Sequence, residues 1–222
     1  MMKNDPDGTG SYFRGFRERR MGFFLALLEA MRKEEINILD AGGTVTFWKG
    51  RDFGAVRKVR ITVLNLMRQE SDEKNIVSVL GDARDMSSFK DGQFDIVFSN
   101  SLIEHVGTYA DQKMMAREIR RVGRNYFIQT PNYYFPVEAH FLFPFFQFLP
   151  VRCKIFLLTH FDLGYYKKAR SRDDALKAIQ EIRLLKMSEL WELFPDSTIT
   201  KERCAGLTKS FMVHRFDHGQ AV

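Results

Sequence analysis

"INILDAGGTVTFW", residues 36–48, opens on a run of apolar residues and closes on paired glycines. Ile36, Ile38 and Leu39 read as a buried strand, and Asp40-Ala41-Gly42-Gly43-Thr44 reads as the turn that leaves it. In open α/β sheets such a turn lies at the carboxyl edge of the strands, where glycine lets the backbone approach a nucleotide. The glycine pattern is incomplete: Gly42 fits the usual frame, Gly43 is out of step, and Thr44 and Thr46 stand where further glycines would fall. The stretch therefore predicts a nucleotide-type loop of altered shape.

Outward from this point the same pattern repeats. "KVRITVLNL" (58–66), "NIVSVLGDA" (75–83), "FDIVFSN" (94–100) and "NYFIQTPN" (125–132) read as further strands, each ending in small or polar residues. A helix is expected from Tyr109 to Val122. Strands alternating with helices predict a mostly parallel sheet. Near the end, "MSELWELF" (187–194) reads as a helix capped by Ser188. "STITKERCA" (197–205) and "TKSFMVHRF" (208–216), with Gly206 and Leu207 between them, read as an antiparallel hairpin closing one edge.

Before the first strand, Phe13, Phe16, Phe23, Phe24, Leu27, Leu28 and Met31 recur near the helical period among arginines, which predicts an amphipathic helix over 12–33. After the fifth strand comes an insertion, 133–186, with helices expected over Val151–Thr159 and Arg172–Leu185. An excursion leaving the carboxyl end of a parallel strand is placed to roof the ligand crevice. The expected organisation is one domain, 1–222: the opening helix, a ligand-binding core over 36–132, the inserted lid over 133–186, and a closing helix and hairpin over 187–217.

Composition fits that plan and narrows the compartment. The 222 residues are 45% hydrophobic and 28% charged, enough for one full core. Cys153 and Cys204 lie far apart, forming neither a CxxC metal pair nor a disulfide framework, and no metal site is read from the sequence. The polar first twenty residues lack the apolar core of a signal peptide, and a cytoplasmic protein is expected. The run "HFLFPFFQFLPVRCKIFLL" (140–158) is broken by Pro144, Pro150, Arg152 and Lys154, too interrupted for a membrane span, although contact with a membrane surface stays open. The net charge of +6 gathers at Arg14/Arg17/Arg19/Arg20, Arg117/Arg120/Arg121/Arg124 and Lys167/Lys168/Arg170/Arg172, and such runs are most often solvated faces.

The polar residues at the strand ends form an ordered series: Asp40, Asn65, Asp82, Ser99 with Asn100, and Thr130 with Asn132. With these motifs in order, the chain from Ile36 onward resembles the class I S-adenosylmethionine-dependent methyltransferases, in the ubiquinone-methylase-like, type 11 group. "ILDAGG" is similar to the family's first motif, "VLNL" to its ribose-side strand end, "LGDARDM" to its adenine-side segment, and "FDIVFSNSLIEHV" to the motif preceding the methyl-transfer pocket. The resemblance implies a Rossmann-like seven-stranded, mostly parallel sheet with an antiparallel last strand, helices on both faces, and an inserted helical, aromatic lid. It implies S-adenosyl-L-methionine as cofactor and S-adenosyl-L-homocysteine as product. Cofactor contacts would then fall on Asp40, Gly42, Gly43, Thr44, Asn65, Leu66, Asp82, Ala83, Asn100 and Ser101. Strand two normally ends in an acid in this family, and Asn65 offers a ribose an amide without the charge that strengthens the bond.

If the acceptor is a hydroxyl, a base near neutral pKa assists, and His105 in "SLIEHV" and His140 in "VEAHFLF" are the catalytic candidates. Glu104 and Glu138 are alternative bases, more simply read as exposed or bonded to their own loops. His160, His214 and His218 read as structural or surface residues. Tyr133, Tyr134, Phe135, Phe141, Phe143, Phe145, Phe146 and Phe148 either line an acceptor pocket or give the lid its own core.

The expected reaction is O-methylation of a small-molecule or glycan-type acceptor. The alternatives are a degenerate methyltransferase fold serving as a binding scaffold, a nucleic-acid methyltransferase, and an NAD(P)-dependent reductase. "SNSL" stands where base-amine methylases carry an Asn/Asp-Pro-Pro-aromatic motif, which argues against nucleic acid. The Tyr109-x-x-x-Lys113 spacing of a reductase is unsupported by the glycine fingerprint such an enzyme needs.

Overall fold

A computed structural model describes residues 14–54, 56 and 58–216. Seven strands, β1 (Glu35–Ala41), β2 (Lys58–Asn65), β3 (Ile76–Leu80), β4 (Phe94–Asn100), β5 (Gly123–Pro131), β6 (Thr198–Cys204) and β7 (Leu207–Arg215), form one sheet. Their order across it is β3-β2-β1-β4-β5-β7-β6. The first five strands are parallel neighbours, and β7 alone runs against the rest, antiparallel to both β5 and β6. The chain is thus a Rossmann-like α/β protein with its direction reversed at the last strand. Chain order turns back beside β1, between β2 and β4, and the carboxyl ends of strands at such a switch point are where open α/β sheets place their ligand crevice.

One sheet face packs against α1 (Arg14–Ala30) and α2 (Val45–Trp48), in a core with Phe24, Leu28 and Trp48 at its centre. The other packs against α3 (Tyr109–Val122) and α6 (Met187–Leu193), with Met115, Ile119, Leu190 and Leu193 inward. Helix α3 forms because Thr108 and Asp111 make a reciprocal capping box and its apolar positions fall at helical spacing. Among the parallel strands, the chain passes from β2 to β3 and from β3 to β4 through turns without a helix. The β3 edge is therefore left partly open, and Val77 on that strand is 57% exposed.

The lid folds around a core of its own, with Phe141, Phe146, Leu158, Leu163, Tyr166 and Ala175 buried between α4 (Val151–His160), α5 (Arg172–Gln180) and their loops. The aromatic run divides: Phe141 and Phe146 are buried there, whereas Tyr134, Phe145 and Phe148 are exposed. The lid closes at its base where the Tyr133 N–H donates to the Leu185 carbonyl, and it is tied to the turn after β4 where the Arg183 N–H donates to the Glu104 carbonyl at 2.8 Å.

Three local expectations are corrected. Helix α5 stops at Gln180 rather than Leu185, because Leu184 and Leu185 leave the helix to pack beside β5. Helix α6 is opened by Lys186, whose N–H is bonded by Glu189, and Ser188 lies inside the helix. The hairpin turn is Ala205-Gly206, both at positive φ (49° and 81°), while Leu207 already belongs to β7. Residues 12 and 13 of the expected opening helix, and His218, lie outside the described residues.

Phe24 joins α1 to the sheet through ring contacts with Phe98 and Phe127 at 4.8 and 5.2 Å. Phe24→Ala is expected to lower the unfolding free energy by about 3–5 kcal/mol in urea titration. A loss below about 1 kcal/mol would mean that the helix is peripheral to the fold.

Candidate functional site

The altered glycine loop is shaped by Asp40. This carboxylate is 1% exposed, and its Oδ2 accepts the Trp48 indole N–H at 2.6 Å. A Cβ on Gly43 would fall 1.6 Å from Oδ2, so the backbone can cross the carboxylate only as glycine. Gly42 takes a positive φ of 82° and presses against Leu102, where a Cβ would meet the side chain at 2.6 Å. Thr44 turns from the loop to cap α2, its hydroxyl accepting the Phe47 N–H at 3.2 Å. The two glycines thus serve two separate close approaches, one to Asp40 and one to Leu102.

Asp40 is the most perturbed group of this loop. Burial pushes its carboxyl up to about 7, against the smaller opposing effect of the Trp48 hydrogen bond. Its Oδ1 is buried without a partner.

Asn65, at the end of β2, is engaged by the loop. Its amide donates to the Gly43 carbonyl at 2.9 Å and its oxygen accepts the Met67 N–H at 3.1 Å. Gln69, which the sequence reading passed over, adds a second donor to the Gly43 carbonyl at 3.3 Å. Beyond Asn65 the rim is apolar and open, with Leu66, Met67 and Leu80 at 70%, 73% and 64% exposure. At the end of β3, Asp82 pairs with Arg84 at 2.6 Å, and that hydrogen bond holds its carboxyl below the usual range. Ala83 is buried beside it.

On the β4 side, Asn100 is bound by Arg20, which also donates to Gln129 at 2.6 Å and approaches Glu202 at 3.4 Å. Arg20 is 7% exposed, so α1 delivers a buried cation to the carboxyl ends of β4 and β5. The sequence does carry its signal: Phe16, Arg20, Phe24 and Leu28 fall four apart, placing the arginine on the buried stripe. Ser101 follows at a φ of 53°, with its hydroxyl donating to Gln129 at 2.8 Å.

The two candidate histidines come together although they lie 35 positions apart in the chain. The His105 and His140 rings meet edge to face at 4.7 Å between centroids. His140 is held by Glu138, Nδ1 to Oε1 at 2.7 Å, while the second carboxylate oxygen takes the backbone N–H groups of His140 and Phe141. Burial is the largest effect and opposes ionisation of both partners. Their mutual hydrogen bond and charge attraction, with the backbone N–H groups on Glu138 and the charge of Glu104 near His140, together outweigh it, so Glu138 is shifted down and His140 up. Burial shifts His105 downward. Glu104 and Glu138 are not exposed, at 0% and 3%; Glu138 does bond its own loop, whereas Glu104 accepts from Thr130 of β5 at 3.0 Å. His160 is exposed and stacked on Phe156, and His214 packs against Phe23 on β7.

Glu138 also lines a cavity of about 310 Å³ between the lid and the start of α6. Phe141, Phe146, Ile179 and Ile182 form its apolar wall, Lys154 and Lys186 bring positive charge, and Arg183 is paired there with Glu189 at 2.5 Å. Among the described residues, no helix is long and apolar enough to cross a membrane.

The strand order and the reversed β7 are those of the Rossmann-like methyltransferase fold. Residues 42–126 match a family profile described as a methyltransferase domain. Uncharacterized proteins from two Mycobacterium tuberculosis strains, CDC 1551 / Oshkosh and H37Rv, are 32% identical over 63 residues, 28% of this chain and 22% of each relative. The matched stretch thus spans about a fifth of the relatives' length. Among solved structures, magnesium protoporphyrin IX methyltransferase from Synechocystis PCC 6803, with bound S-adenosylhomocysteine, is similar over 94% of this chain and 88% of its own. Its TM-score is 0.56 at 10% identity, a likeness of fold. The trans-methyltransferase CalH, also in complex with S-adenosylhomocysteine, matches 86% of this chain and 53% of its own, with TM-score 0.53 and 10% identity.

The Asp40 shift sets a pH dependence. An exposed aspartate titrates at about 4, so between about pH 4 and 7 the folded chain keeps a proton that the unfolded chain has released. Native stability from this group is fully present below that window and is lost as pH rises through it. In urea unfolding, Asp40→Asn is therefore expected to gain on the wild type from about pH 4.5 to 7.5. A wild-type-to-variant difference constant across that range would contradict the assignment.

Proposed function

We propose that this protein transfers a methyl group from S-adenosyl-L-methionine to a hydroxyl of a small, partly apolar, anionic acceptor, in the cytoplasm. The observation that carries the reading is the rim itself. A glycine-only crossing at Gly43, an unpartnered buried oxygen on Asp40 and the exposed side chains of Leu66, Met67 and Leu80 together fit a nucleoside with one flat apolar face. The loop Asp40, Gly42, Gly43 and Thr44 would hold the amino-acid end. Asn65 and Leu66 would meet the ribose, Asp82 and Ala83 the adenine edge, and Asn100 and Ser101 the sulfonium side.

Bound there, the cofactor supplies a methyl carbon open to in-line displacement, a reaction in which orientation is the main catalytic demand. Arg20 fixes Asn100 and Gln129, which gives that side of the crevice a stiff floor. The lid would exclude water, and its cavity would take the acceptor, ring against Phe141 and Phe146 and anionic group toward Lys154 or Lys186. A glycan-type acceptor fits this lining less well, because the wall is aromatic and aliphatic. His105 and His140 are the groups set to hold the acceptor hydroxyl and receive its proton. Cys153 and Cys204 suit a reducing compartment.

Calorimetric titration tests this directly. Saturable binding of S-adenosyl-L-methionine is expected, and Leu80→Glu should weaken it about tenfold or more, equivalent to about 1.4 kcal/mol. Since Leu80 is exposed, its replacement should leave the melting temperature unchanged. No saturation at millimolar cofactor would leave the fold as a binding scaffold. Equal affinity in the variant would place the nucleoside elsewhere.

A further inference from the structure

The geometry points to Glu104, His105 and His140 as the protein ligands of a divalent first-row transition-metal ion. One ligand atom from each residue lies within 4.8 Å of the others. Two of the residues come from the 3₁₀ turn after β4 and the third from the lid, so the convergence is made by the fold and not by a run of neighbours. Two imidazoles and one carboxylate form a donor set suited to ions from manganese to zinc, and less suited to magnesium or calcium, which favour oxygen.

Each member is oriented for the task. The Nδ1 of His140 is taken by Glu138 at 2.7 Å, which leaves Nε2 as the ligating atom. The His105 ring meets the His140 ring edge to face at 4.7 Å between centroids, which brings its nitrogens to the same cluster. A carboxylate or carbonyl behind a ligating histidine is the usual way of fixing its ring and raising its basicity. An independent sign comes from Glu104. Its side chain is 0% exposed, one oxygen accepts from Thr130, and the other, Oε1, is buried with no partner. An ion at the cluster would satisfy that oxygen, and its charge would balance the two buried carboxylates, Glu104 and Glu138.

Metal bonds of about 2.0–2.2 Å bring tetrahedral ligands to roughly 3.4 Å of one another, so the three groups would close inward on the ion by side-chain rotation. Three protein ligands leave at least one coordination position free. Resting on the methyl-transfer reading above, that position would take the acceptor oxygen, and the ion would lower the hydroxyl's pKa as its proton passes to bulk water. In that case the histidines act through the ion rather than as the base.

Cobalt(II) is the probe, because its visible absorption reports ligand number and type without any turnover. Full-length chain stripped with a chelator is expected to bind about one equivalent of cobalt(II), displaced by zinc but not by equimolar magnesium. His140→Ala should weaken the binding about a hundredfold, and Glu138→Gln, which leaves all three ligands in place, by about 10–100-fold. Metal-free melting curves establish that each variant is folded, and His105→Gln replaces His140→Ala should the latter fail to fold. No saturable cobalt spectrum at millimolar metal, or one unchanged in the folded ligand variants, overturns the site. The titration contains no cofactor, so its failure leaves the methyl-transfer reading standing, and failed cofactor binding leaves the metal result intact.

Discussion

The carboxylate of Asp40 is the constraint around which the glycine loop at the carboxyl edge of the sheet is built. It stands at the last polar position of β1, almost wholly buried, with one oxygen on Trp48 and the other without a partner. Trp48 closes α2, a single four-residue helix, and its ring packs against Phe98 of β4 at 5.1 Å. A short helix is thereby anchored from its far end, and the loop over Asp40 must pass so close that only glycine fits at position 43. The missing later glycines are accounted for in the same terms: Thr44 caps α2, and the chain from Val45 onward packs into the core instead of circling a ligand.

This arrangement redistributes work along the rim. Asn65 spends its amide on the Gly43 carbonyl, so the end of β2 braces the loop that a charged residue there would have left alone. Arg20 does the corresponding service across β4 and β5, bringing α1 into the site as well as into the core. The two halves of the crevice are therefore stiffened by groups from outside the strand-end motifs. Under the proposed methyl transfer, such stiffening would supply the preorganisation that an in-line displacement needs.

Much of the fold was legible in the sequence because its signals are local. The parallel strands show as short apolar runs closed by polar residues, and "FDIVFSN" is buried along almost its whole length, as a central strand should be. The reversed edge was readable from the close spacing of two strand-like runs, and only the turn residues were misplaced by one position, because Ala205 adopts a left-handed backbone that its identity does not announce. The site was legible at the level of which strand ends meet, but not in how each side chain is spent. Glu104 accepts from Thr130 of β5, distant in sequence, and Glu138 is buried by its own lid loop closing on it; no periodicity encodes either. The pairing of His105 with His140 is likewise a product of the lid docking on the strand-four turn. Arg20 is the exception: its place on a four-residue stripe of Phe16, Phe24 and Leu28 was there to be read, and its charge argued for the solvated face instead.

The lid and the core thus meet at a buried polar cluster that includes Glu104, His105 and His140, and Glu138 beside it also lines the charged, aromatic cavity. A crystal structure with S-adenosylhomocysteine tests the account most directly. The account predicts ligand density at the carboxyl edge, its amino-acid end against the Asp40–Thr44 loop and its adenine between Leu66 and Leu80. Density at any other place, or an unchanged rim after soaking at millimolar ligand, would contradict it.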